Sequence, residues 1–216
     1  MKESRKTSIV TGIAILLMAV VAGYAYGFVQ STLIVQGSPE DTWKNISESG
    51  LLFRSGVLAW IVILLLDILV AWGLYVYFKQ ENPNRSMLMA WLRLIYTAIL
   101  AVAIQSLVKL FNISEISVEE SANYVATFSN MYSVGLIVFG FHLVELGRLT
   151  LKSVHVPRVF GILILVAAAG YLFVHTAHIL IGEESNVLGI IETVLGIPMA
   201  VGELAFAMWL LIKGGK

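Results

Sequence analysis

No cysteine occurs anywhere in the 216-residue chain. Structural disulfides, thiolate metal sites, cysteine nucleophiles and covalent c-type haem attachment are therefore excluded. Charge is scarce as well: Asp, Glu, Lys and Arg make up 13% of residues, and proline occurs four times. A water-soluble domain carries about 25% charged residues, so water is not the solvent for most of this chain. No glycine-rich phosphate loop, His-Glu-x-x-His helix or Gly-x-Ser-x-Gly elbow is present, which leaves the familiar soluble chemistries without support.

Apolar residues take the place of charge. They form 58% of the chain, and the mean hydropathy is +0.87. They gather into six long stretches, residues 8–29, 51–78, 87–111, 122–149, 159–181 and 187–212. A helix rising ~1.5 Å per residue crosses a ~30 Å hydrocarbon core in about 20 residues, and each stretch is long enough. Lipid offers no partner for an unpaired backbone amide, and the alternation of a membrane barrel is absent, so the expected fold is all-α. It is a single bundle of six transmembrane helices spanning residues 1–216. The first stretch follows Lys2, Arg5 and Lys6 as a signal peptide would, but it is too long and lacks a convincing cleavage site, so it reads as a retained helix. Its Gly23 and Gly27 form a small-xxx-small step that predicts close approach of a neighbouring helix.

Charge is sorted by side. Lys2, Arg5, Lys6, Lys79, Arg85, Arg148, Lys152, Arg158, Lys213 and Lys216 fall at one end of the stretches. Glu40, Asp41, Glu48, Glu115, Glu119, Glu120, Glu183 and Glu184 fall at the other, with Lys44. The positive-inside rule puts both termini in the cytoplasm of a multi-pass cell-membrane protein. The cations are spread over four short patches, which suits anionic lipid headgroups and gives no footprint for nucleic acid. Residues 30–50 form the one longer loop, and its Trp43 suits the membrane interface.

The informative residues are the ionisable ones within the stretches, since each costs roughly 2.5–3.5 kcal/mol at the bilayer centre unless it faces the bundle interior and finds a partner. An inner layer holds Arg93, His142, Glu145 and Glu203, with Asp67 near mid-helix; an outer layer holds Arg54, Lys109, His175, His178 and Glu192. His142 and Glu145 share a helical face, and Arg93 can bridge to Glu145, Glu203 or Asp67. Two readings stand side by side: an ion-pair network that fixes helix register, or a functional polar pocket. Pro198, flanked by Gly196 and Gly202, predicts a kink that opens backbone acceptors toward such a pocket. In the outer layer His175 and His178 also share a face, and with Glu192 they make a loose N,N,O set for a divalent metal. Haem is not expected, because His142 and His175 lie on the order of 10 Å apart along the membrane normal.

The order of several short segments carries a resemblance over nearly the whole chain. Leu52-Phe53-Arg54 opens the second stretch and Leu74-Tyr75 nearly closes it; Phe139-Gly140-Phe141-His142 with Gly147, Lys152-Ser153, Pro157-Arg158 and Gly161 follow. Gly170-Tyr171, Gly202-Glu203-Leu204, Trp209-Leu210-Leu211 and Lys213-Gly214 complete the set. In these the chain resembles a prokaryotic membrane family known as domain of unknown function 4386. The resemblance implies a six-helix integral membrane protein, with Arg54, His142 and Glu203 as family-type polar residues, and brings no activity with it. Glu145, His175 and His178 depart from that pattern, which weakens their part in a site. Three classes of function remain: a protein binding or transporting a small molecule, ion or lipid; an intramembrane enzyme acting on a lipid or prenyl substrate with His142 or Glu203 as acid or base; and a non-catalytic partner of another protein or of a second copy. The absence of any recognised catalytic spacing favours the first.

Overall fold

A computed structural model describes residues 2–181 and 186–215, the side chains of 2–4, 186–193, 197 and 198 excepted. The described residues form helices, turns and no strand. The helices are α1 (Lys2–Ala22), α2 (Pro39–Glu48), α3 (Gly50–Phe78), α4 (Pro83–Lys109), α5 (Val118–Lys152), α6 (Arg158–Ile181) and α7 (Asn186–Ile212). All but the short α2 are long and apolar enough to cross a membrane.

The helices run past the apolar stretches because polar residues secure their ends. Asn82 accepts a 3.0 Å bond from the Arg85 amide with Pro83 in the first turn of α4, and Ser117 accepts one of 3.1 Å from the Glu120 amide at the start of α5. Glu119 and Glu120 complement the positive end of the α5 dipole. Beyond Ala22, α1 widens into π-helix over Gly23–Gln30 before a last α-turn at Ser31–Leu33. α7 stays helical through Pro198, whose side chain lies outside the described residues, as does the expected kink.

Each spanning helix packs on the spanning helices before and after it, and α7 returns to α1. The six therefore close a ring in chain order. Arg5 fastens the seam: its guanidinium donates to the carbonyls of Leu210 (3.1 Å), Leu211 (2.7 Å), Ile212 (3.2 Å) and Gly214 (2.8 Å), at the helix end where the last carbonyls lack a following turn and the dipole favours a cation. Both termini thus share one end of the bundle. At the opposite end α2 lies across the helices with Thr42 and Ile46 buried, and the Trp43 indole N–H donates to the Ile116 carbonyl at 2.9 Å.

Glycines set the close approaches, though not where the first helix suggested. A Cβ at Gly23 or Gly27 would meet nothing within 4 Å; both lie in the π-helical segment, and no neighbour approaches them. Small-residue spacing marks a groove without revealing which face meets a partner. The close contacts fall elsewhere. Gly140 and Gly147 of α5 receive Leu172 and Leu165 of α6, while Gly161 of α6 receives Leu151 of α5. A Cβ at Gly12 would stand 2.8 Å from the Ala207 carbonyl across the α1–α7 seam.

Candidate functional site

Four of the ionisable residues meet at one level inside the ring. Counting from the terminal-end ends of their helices, Asp67, Arg93, His142 and Glu203 all lie about 13–17 Å along α3, α4, α5 and α7. Arg93 is 1% exposed, and Asp67 and His142 are 0%, so their mutual bonds replace water entirely. Arg93 Nε donates to Asp67 Oδ1 at 2.8 Å, and its Nη2 lies 2.7 Å from the same oxygen. Nη1 stands 3.1 Å from His142 Nε2, Nη2 is 3.6 Å from the Met18 sulfur, and the guanidinium carbon sits 5.1 Å from the Phe139 ring centre. The Arg93 carbonyl, one helical turn from Thr97, accepts that hydroxyl at 2.8 Å.

This geometry fixes the state of His142. Its Nδ1 is 2.8 Å from the Met89 carbonyl, which only accepts, so Nδ1 carries the proton. Its Nε2 faces a guanidinium, which only donates, so Nε2 is the acceptor. His142 is a neutral bracket between two turns of α4, with both ring nitrogens engaged. Asp67 is arranged differently. Both Arg93 contacts fall on Oδ1, and Oδ2 is buried with no hydrogen-bond partner among the described residues.

Next to this cluster lies a cavity of ≈ 250 Å³ lined by all six spanning helices. Asp67, Arg93 and Glu203 border it, and aromatic rings form much of the remaining wall: Trp60, Tyr96, Tyr132, Phe139 and Tyr171. Glu203 is partly exposed and shares the cavity wall with Tyr171. Away from the charges, Trp60 packs edge-on to Tyr132 at 5.0 Å and to Phe128 at 5.4 Å. The aromatic members carried no charge to single them out in the sequence. The available signal was that a tyrosine hydroxyl deep in a span requires a partner.

Other expected members stand elsewhere. Glu145 sits nearer the terminal end, clamped between Arg85 (2.9 Å) and Arg148 (2.8 Å). Arg54 is exposed near the opposite end, donating to the Phe111 carbonyl at 3.1 Å and lying over that ring. His175 and His178 are adjacent, ring centres 5.7 Å apart, and His175 Nδ1 is 3.4 Å from the Ser133 hydroxyl. Glu192, the third member of that set, lies outside the described residues. Among the described residues no three His, Asp or Glu side chains converge as a metal site.

Comparison with known proteins gives a family. An uncharacterized protein of Archaeoglobus fulgidus is 33% identical over 155 residues, covering 72% of this chain and 81% of that protein. No solved structure matches. The family model described as Domain of unknown function (DUF4386) matches residues 10–214, so that every residue bordering the cavity falls within the match, and the chain belongs to this family.

Proposed function

We propose that this protein binds a small molecule or ion in its central cavity and carries it across the membrane. The observation that supports the reading is the orphaned Asp67 Oδ2 beside a cavity that all six spanning helices line. A buried polar atom without a partner costs about 1–3 kcal/mol, a cost that a ligand removes. A site touched by every helix also transmits a change of occupant to the whole ring, which transport requires.

Filling the cavity tests this. Ala200 lies on its wall, away from the Arg93 bonds, so Ala200→Trp removes space and leaves the ion pair intact. Native mass spectrometry on gently extracted protein is expected to find a small molecule on the wild type that Ala200→Trp lacks. Only bulk lipid on both would sink the reading.

The membrane is the cell membrane in this reading, with the terminal end in the cytoplasm. The support is the sorting of Arg85, Arg148, Lys152 and Lys213 against Glu40, Asp41 and Glu48. A chain without cysteine suits single-cysteine mapping. A membrane-impermeant maleimide added to intact cells is expected to label Glu48→Cys and to spare Lys213→Cys; the reverse pattern would invert the topology.

A further inference from the structure

The cavity border holds two carboxylates, Asp67 and Glu203, and one fixed cation, Arg93. His142, beneath it, is neutral by its bonds to Met89 and Arg93. The wall from α1 adds only Ile15, Met18, Ala19 and Ala22. Facing Glu203 are therefore Asp67 from α3, Arg93 and Tyr96 from α4, Tyr132 from α5 and Tyr171 from α6. One negative charge is left over, in a place where an unpaired charge is expensive.

We infer that the ligand of the central cavity is a small monovalent organic cation, a protonated amine whose N–H groups are held between Asp67 Oδ2 and Glu203 and whose carbon body lies on the aromatic wall. This rests on the cavity being a ligand site at all. Arg93 already donates to Asp67 and to His142, which leaves an anion little to bind. A neutral apolar ligand would leave Asp67 Oδ2 orphaned. Calcium takes six to eight oxygens, and two carboxylates fall short. An organic cation meets what is there, because the faces of Trp and Tyr attract positive charge and ≈ 250 Å³ exceeds the ~150 Å³ cavity that takes up benzene. Charge balance adds a coupling: the site takes one positive charge, so an arriving cation releases to water the proton that otherwise supplies it.

The test uses three probes of like size on the purified protein in zwitterionic nanodiscs at pH 7: phenethylammonium, phenethyl alcohol and phenylacetate, carrying one positive, no and one negative charge. Calorimetry at matched ionic strength, in two buffers of different ionisation enthalpy, reads affinity and proton release together. Saturable binding of the cation alone is expected, with about one proton released. Affinity should fall at least about tenfold in Glu203→Gln, the equivalent of 1.4 kcal/mol, and vanish in Ala200→Trp. Equal or tighter binding of either other probe, lost in Ala200→Trp, would overturn the cation and keep the cavity as a ligand site. Failure of all three probes while native mass spectrometry still finds a cavity-bound molecule has the same meaning. Failure of the probes with no retained molecule overturns both. The charge series is read on wild type, so a folding defect in Glu203→Gln does not affect the choice among the three charges.

Discussion

Arg93→Met is expected to destabilise the protein by about 3–5 kcal/mol, read as a fall in detergent unfolding midpoint, the range for removing one partner of a buried ion pair. The size follows from what the guanidinium serves. Its loss strands Asp67 as a buried carboxylate with neither oxygen partnered, takes the donor from His142 Nε2, and removes the charge over Phe139. Arg93→Lys should recover only part, since one ammonium cannot copy the fork that reaches Asp67 and His142 together. The double variant Asp67→Leu/Arg93→Met is expected to be more stable than Arg93→Met, because it removes the stranded charge instead of exposing it. Equal stability of Arg93→Met and wild type would show that the pair is dispensable to the fold.

The second large effect is expected at Gly202. A Cβ there would lie 2.8 Å from the Leu163 carbonyl oxygen and 3.1 Å from its carbon. Both are backbone atoms of α6, which cannot rotate aside as a leucine tip can. Gly202→Val should cost about 1–3 kcal/mol as overpacking and, by pushing α7 off α6, displace the adjacent Glu203 from the cavity. Gly196 on the same helix is the control, since a Cβ there meets nothing within 4 Å. Gly196→Ala should be neutral or gain up to about 1 kcal/mol from helix propensity. Similar losses from both substitutions would point to a general intolerance of α7 and away from the α6 contact.

Depth was legible in the sequence and direction was not. The apolar stretches gave the six spanning helices, and counting along them gave an inner layer of Arg93, His142, Glu145 and Glu203 with Asp67 near mid-helix; of these, Arg93 bonds to Asp67 and His142. Counting says nothing about the turn of each helix about its axis. Glu145 shares a face with His142 yet pairs with Arg85 and Arg148, because one further turn carries it to where those cations end. Arg93 had three candidate partners: Glu203 is on α7, which packs on α6 and α1, and Glu145, on neighbouring α5, lies a turn nearer the terminal end and is taken by Arg85 and Arg148, which leaves Asp67 on α3. The ring closure itself had no local sign in the sequence: Arg5 and Gly12 at the start of the chain answer to Leu210, Leu211 and Ala207 near its end. Contacts of that sequence separation leave no periodicity to read.

That closure has a consequence for biogenesis. Of the six spanning helices α1 is synthesised first and α7 last, and they are each other's neighbours. Until α7 emerges, the Gly12 groove has no occupant, Arg5 has no carbonyls to hold, and the bundle is an open arc with Asp67 and Arg93 on its inner curve. The pairing of Asp67 with Arg93 needs only α3 and α4, so the emerging bundle can shield its most expensive charges before the wall is complete. The cavity, by contrast, exists only once α7 has been made: a ribosome that stalls before α7 leaves a chain with its charges paired and nowhere for a ligand to sit.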